Sequence, residues 1–300
     1  MKAGNHTFGV SEFLLLGLSE RQEQQPLFFG IFFAMYLITV VGNIVIILAI
    51  GSGPQLRTPM YFFLANFSLT DLALSSTTVP KTLVNIQAHR RTIAYTGCLS
   101  QIYFFLWFIG LDVFLLAVMA YDRFVAICHP LHYNLVMSPR YCILILTHSY
   151  SLTHTILLAQ LSFCTDNSIL HFCDLLPLLK LSCSDTYANQ CVLTYWGGAL
   201  TILIPLLIII SYARIVAAIV RIPSARAKWK VFYTCSSHLL AICLFYASDW
   251  VATVMYAVLT PMLNPFIYGL RNRDMKRALG RLLSRRALQS PLSQNLNSDI

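Results

Sequence analysis

Apolar side chains come in blocks along this chain, and the blocks are long enough to cross a bilayer. A spanning helix needs about 20 apolar residues for roughly 30 Å of hydrocarbon. Five blocks meet that length: 26–50, 60–79, 103–128, 141–163 and 191–220. A sixth, 229–270, is too long for one span and just long enough for two, with Ser248-Asp249-Trp250 as its clearest polar break. Five spans and a hairpin make seven. After them, 271–284 sets Leu279, Leu282 and Leu283 among basic residues, the pattern of a short amphipathic helix on a membrane surface. The pattern predicts an all-α membrane protein, a seven-transmembrane helix bundle with a short amphipathic helix after the last span. The bundle covers 26–270, between an N-terminus (1–25) and a tail (271–300).

Composition agrees. Of the 300 residues, 57% are hydrophobic and 11% charged, where soluble domains carry about 25% charged residues. The mean hydropathy is +0.66. The net charge of +9 sits at the ends of the apolar blocks, so it reads as membrane flanks and not as a nucleic-acid surface. With the N-terminus extracellular, most Lys and Arg fall on inner segments, including Arg57, Arg123, Arg140, Arg214 and the run from Arg271 to Arg286 in the tail. This asymmetry sets the C-terminus in the cytoplasm of a multi-pass plasma-membrane protein. No secretory signal pattern precedes the first block, which is then expected to direct its own insertion. Asn5-His6-Thr7 is an N-glycosylation acceptor if this end is outside.

Several motifs occur in order. Gly42-Asn43 lies in the first span. PMYFFL opens the second at 59–64, which also holds Leu69-Thr70-Asp71. MAYDRFVAICHPLHY ends the third at 119–133. Ser211-Tyr212 lies late in the fifth, KVFYTCSSHL opens the sixth at 230–239, and PMLNPFIY closes the seventh at 261–268. Together they cover most of the chain and resemble the olfactory (odorant) receptors, a branch of the rhodopsin-like (class A) G-protein-coupled receptors. A lone Asp-Arg or Asn-Pro would carry little weight; the fifteen-residue run is specific.

The resemblance implies roles. Asp71 and Asp112 are acids inside spans, where a charge is expensive and marks function. With Asn43 and Asn264 they would form a buried polar cluster. That cluster either holds an allosteric sodium ion or shares a proton between its carboxyls. Asp122 and Arg123 would form the switch at the G protein, Arg keeping its charge and offering a rigid fork of donors. Pro265 breaks a helix hydrogen bond, and Tyr212 and Tyr268 would swing together on activation. The ligand contacts implied are Phe104, Phe105, Ile109, Gly110, Gly198, Thr201, Tyr246 and Tyr256, around an apolar space suited to a small volatile molecule. Cys98, Cys164, Cys173 and Cys183 lie on the outer side, where disulfides persist. Four cysteines allow three pairings, and the resemblance selects Cys98–Cys173 and Cys164–Cys183. The partners implied are an odorant, a stimulatory olfactory-type heterotrimeric G protein acting through cyclic AMP, and the bilayer. No bond is broken in the ligand, so no enzyme is expected. No residue spacing suits another metal.

Two regions depart from the family pattern. The sixth span runs from Trp229 to Ser248, about 30 Å at 1.5 Å per residue, and almost no loop separates it from the seventh. The fourth span is short, with Tyr150 near the usual Trp and with His148, Thr153 and His154 making it polar. These departures keep a second reading open, a non-signalling or poorly folded member of the family. A transporter would show internal repeats and broken helices; neither is present.

Overall fold

A computed structural model describes residues 11–16, 22–88, 92–129, 140–163, 167–169, 172–248, 253–271 and 273–288. Asn5, Cys164, residues 130–133 of the long motif with 134–139 after it, and Asp249-Trp250 lie outside them. The helical backbone at Tyr256 is described, but its side chain is not.

Among the described residues, a β-strand, β1 (Glu12–Leu15), precedes a long α1 (Gln25–Ser52), α2 (Pro59–Gln87), β2 (Thr92–Ala94), α3 (Tyr95–Cys128), α4 (Arg140–Ala159) and β3 (Ser168–Ile169). Then come a short α5 (Leu175–Leu181), α6 (Tyr187–Cys191), a π-helical stretch (Val192–Gly197), α7 (Gly198–Arg221), α8 (Ala225–Ser248), α9 (Thr253–Arg271) and α10 (Arg273–Leu288). α6, the π-helical stretch and α7 are continuous and form the fifth spanning helix. The seven-helix bundle is closed by α3, which packs on α2, α4, α7 and α8, and by α1, which packs on α2 and α9. α1, α3 and Tyr187–Arg221 are each long and apolar enough to cross a membrane by composition alone. The other spanning helices carry more polar side chains; in α4, Thr147, Ser151, Thr153 and Thr155 bond back to carbonyls of their own helix.

Prolines start the first two helices at positions where the missing N–H costs nothing. α3 begins at Tyr95, two turns before the expected Tyr103, and α2 runs on through Pro80 to Gln87. α4 ends at Ala159 and not at the expected Phe163, which instead pairs with Ser182 in an isolated bridge. α8 starts a turn earlier than expected, at Ala225, and ends at Ser248.

One end of the bundle carries a small sheet that the apolar blocks do not announce. β1 is its central strand. It pairs antiparallel with β2, Glu12 opposite Ala94, and parallel with β3, Leu14 opposite Ser168. Phe13 and Leu15 point inward and are buried with Ile93, Cys98, Ile169, Cys173 and Leu178. The Phe13 ring meets Phe163 edge-on at 5.3 Å. The Cys98–Cys173 disulfide ties the start of α3 to this layer. At the opposite, basic end, α10 buries Met275 and Ala278 against the bundle and leaves Lys276, Arg277 and Arg281 exposed. Arg281 donates to Gln55 Oε1 at 2.9 Å.

Candidate functional site: a polar core between two helix ends

α9 contains Pro261 and Pro265. A proline lacks the N–H that would bond the carbonyl four residues back, so Ala257 and Pro261 each lose their helix donor. Inside a membrane such a carbonyl needs another partner. Ser75 of α2 donates to Ala257 O at 3.1 Å, and Asn43 of α1 donates to Pro261 O at 3.1 Å. Gly42 makes this approach possible. A Cβ there would lie 2.8 Å from Pro265 Cβ and 2.9 Å from its Cγ. The Gly42-Asn43 pair and the two prolines are therefore one joint between α1, α2 and α9.

Beside that joint sits the acidic core. Asn264 Nδ2 donates to both oxygens of Asp71, at 2.9 and 3.2 Å. The Thr70 hydroxyl reaches across to Asp112 Oδ1 of α3. Asp71, Asp112, Asn43 and Asn264 are all buried. Asn43 Oδ1 and Asn264 Oδ1 have no hydrogen-bond partner among the described residues. Hard cations take oxygen ligands, so carboxylates and free amide oxygens are donors of a kind that fits a sodium ion. No group of three or more His, Cys, Asp or Glu is placed to hold a metal ion among the described residues.

Toward the basic end, Asp122 is buried and Arg123 half-buried. Arg123 lies within electrostatic reach of Tyr212, Cys235, His238 and Tyr268. Tyr212 is bonded to His238 Nδ1 at 2.7 Å. Tyr268 packs edge-on against Phe67 at 6.2 Å, and its hydroxyl has no hydrogen-bond partner among the described residues. In this structure Tyr212 is held by α8 and not by Tyr268. His238 received no role from the sequence, although it sits in the 230–239 run.

Toward the sheet end, the helix turn sorts the residues expected at the ligand. Each residue turns an α-helix by about 100°. Gln101 faces α2 through its bond to Thr77 O, and Tyr103 faces α4 through His148 Nδ1 at 2.7 Å. Phe105, Ile109, Asp112 and Leu116 share the inward stripe between α2 and α7, and Phe105 lies under Phe172 at 5.8 Å. Gly110 does not point into that space. It continues the Tyr103–Trp107 stripe, and a Cβ there would meet Thr147 of α4 at 3.2 Å. Phe104 also turns away. It lies on the outer flank between α2 and α4, 42% exposed, stacked on Phe108. Thr201 falls on the same face of α7 as buried Ile204 and Ile208 yet is exposed, its hydroxyl turned back to Gly197 O. A Cβ at Gly198 meets nothing within 4 Å. Tyr246 of α8 is half-buried beside buried Phe245. The polar fourth span is satisfied locally in part: His148 takes Tyr103, Thr153 bonds Ser149 O, and His154 is buried against Tyr150 at 4.6 Å.

This combination also matches known proteins. A family profile described as Olfactory receptor covers residues 32–254. The chain belongs to the olfactory receptor family. It is 53% identical to human Olfactory receptor 1N1 over 94% of this chain and 98% of that protein. It is 50% identical to gorilla Olfactory receptor 1G1 over 96% and 99%, and 49% identical to rat Olfactory receptor 1468 over 93% and 96%. The family is one of class A G-protein-coupled receptors, which signal and are not enzymes. Of the two disulfides expected in this receptor, Cys98–Cys173 is formed. Cys183 is also disulfide-bonded, while Cys164 is outside the described residues.

Proposed function

We propose that this receptor binds a small apolar odorant between Phe105, Ile109, helix five and Tyr246, and passes the signal to a stimulatory heterotrimeric G protein that raises cyclic AMP. The observation that carries this reading is a series of separate buried polar pairs that join neighbouring helices between the ligand space and the basic end. Asp112 lies two turns below Phe105 on one face of α3. Asp71 and Asn264 join α2 to α9 beside it, and Tyr212–His238 joins α7 to α8 next to Arg123. A ligand shifts a two-state bundle only by binding one state better. The joints available to shift are the hydrogen-bonded pairs between helices. Outward movement of α8 at the basic end would part His238 from Tyr212 and open the surface around Arg123 to the G protein. Asp122, buried next to it in the chain, would orient Arg123.

In this reading the sheet end is extracellular and α10 cytoplasmic, which agrees with the basic residues on α10 and the disulfide layer at the other end. Asp71, Asp112 and Asn264 would hold a sodium ion, which would stabilise one arrangement of α2, α3 and α9. The shortened sixth helix does not favour a non-signalling protein. α8 and α9 both form and pack on each other, and the relatives align over nearly the whole chain. The test is a cyclic AMP reporter screen against an odorant panel, with surface staining in the same cells. Responses that vanish in Arg123→Ala at equal staining support the reading. Silence of a well-stained receptor across the panel counts against it.

A further inference from the structure

α3 has a second aromatic face, turned away from the ligand space. Phe105 is buried in the bundle, and Trp107, two residues on, is rotated about 200° from it. Tyr103, Phe104, Trp107 and Phe108 gather on that far side, and their rings form a continuous shelf. Trp107 lies nearly parallel to Phe108 at 5.6 Å and 14°, and Phe108 to Phe104 at 6.1 Å and 17°. Tyr103 and His148 of α4 stand at its edge, their rings 6.0 and 5.6 Å from Trp107. Phe104 is 42% exposed and His148 is exposed, so the shelf opens to the outside of the bundle. Rings three or four apart on one helix meet in any apolar stripe. α1 has such a pair in Phe29 and Phe33, stacked at 5.9 Å and 8°.

The α3 shelf differs from the α1 pair in its hydrogen-bonding groups. The Tyr103 hydroxyl and His148 Nδ1 are bonded at 2.7 Å. A neutral imidazole has one donor and one acceptor nitrogen, and a phenol both donates and accepts. Whichever partner gives its proton to this bond, the pair keeps a donor and an acceptor, and no other hydrogen bond takes them among the described residues. The indole Nε1–H of Trp107, in the same ring cluster, is buried without a partner among the described residues. Polar groups left over beside lipid are costly. Thr147 and Ser151 on the same helix avoid that cost by bonding carbonyls of α4 itself. Depth decides what can answer the others. At 1.5 Å per residue, His148 lies about 12 Å from the start of α4 at Arg140 and about 17 Å from its end at Ala159. A lipid headgroup is kept at the membrane surface by its hydration. The fitting partner is a small molecule that dissolves whole in hydrocarbon and carries its own hydroxyl.

We propose that this face of α3 and α4 is a second, bilayer-facing binding site for small aromatic alcohols. The ligand's ring packs on Phe104, Trp107 and Phe108, and its hydroxyl bonds the Tyr103–His148 pair. Contacts between aromatic rings add to the burial of their area, and a hydroxyl gives and takes one hydrogen bond each, which matches what the pair has left. The site shares no side chain with the odorant space at Phe105 and Ile109, so it stands or falls apart from that reading.

The experiment is photolabelling of the full-length receptor in cell membranes with a benzyl alcohol that bears a diazirine on its ring, and with the toluene counterpart that lacks only the hydroxyl. Adducts are mapped by mass spectrometry, and the Phe29–Phe33 face of α1 serves as the internal reference for the amount of receptor and of dissolved probe. The expected result is alcohol labelling around 103–108 and 148 about ten-fold above that reference, the effect of one or two hydrogen bonds, with toluene labelling close to it. Excess unlabelled 2-phenylethanol should remove the surplus. Equal labelling by the two probes would overturn the proposal. A surplus that 2-phenylethanol does not reduce would show partition into lipid and no site, and would overturn it as well.

Substitution tests the polar pair. His148→Leu should bring the alcohol down to the toluene level at the shelf and leave both probes unchanged on α1. Tyr103→Phe, which keeps the ring and removes the hydroxyl, is the second variant should His148→Leu reach the membrane poorly, and it should lower the alcohol's surplus several-fold. A surplus that survives both substitutions would mean that the pair does not hold the hydroxyl, and the proposal would fall.

Discussion

Asn43 and Ser75 each answer a carbonyl that a proline of α9 has stripped of its donor. Leaving such a group unpaired and buried costs about 1–3 kcal/mol, so Asn43→Ala and Ser75→Ala should each lower the thermal midpoint of the purified receptor in detergent, and Ser75→Thr should restore most of its loss. Gly42→Ala should be worse than its one added methyl suggests, because the Cβ would have to push the Pro265 ring; overpacking of this kind costs roughly 1–3 kcal/mol. The Tyr212–His238 bond is a separate unit. A double-mutant cycle with Tyr212→Phe and His238→Phe should show a coupling of about 1 kcal/mol in thermal unfolding, and zero coupling would mean the 2.7 Å contact carries nothing. The acids, Asn264 and Arg123 were legible from their setting in long motifs and in apolar spans. Gly110 and Phe104 were not, because a difference of 100° in helix rotation decides between ligand, α4 and lipid, and the apolar composition on all three sides is the same. The free carbonyls could have been found by counting four back from Pro261 and Pro265, but their donors lie on other helices.

At the scale of elements, spans one to five were readable from apolar length and spans six and seven as a hairpin in one long block, with ends moved by a turn or two. α3 gains its extra turns because β2 delivers the chain directly into it. β1 was not readable. Four residues with alternating burial are too few to announce a strand, and its partners lie some 80 and 155 positions away. Its contribution is testable by face. Phe13→Ala removes a fully buried ring and should cost roughly 3–5 kcal/mol, seen as lost surface staining. Leu14→Ala, on the face 40% exposed, should change staining little. Equal losses would mean that β1 matters for its backbone alone.

For the whole molecule, the Cys98–Cys173 bridge closes 75 positions of chain, and a loop of that size contributes about 4 kcal/mol by restricting the unfolded chain. Cys98→Ser and Cys173→Ser should each reduce surface staining strongly, and the double variant should do no further harm. A larger loss in the double would point to a role for the thiols apart from the bridge. The amino-acid sequence by itself determined that the chain lives in lipid, that it crosses as a bundle of helices, and which family of receptors its motifs belong to. Those properties follow from apolar length, charge asymmetry and residue identity, all of which are local. Only the tertiary structure decided which side of α3 faces the bundle interior, which side chains adopt the carbonyls freed by proline, and that an N-terminal strand holds the sheet end together. Each of these depends on the rotation and offset of one element against another, and long-range packing alone sets rotation and offset.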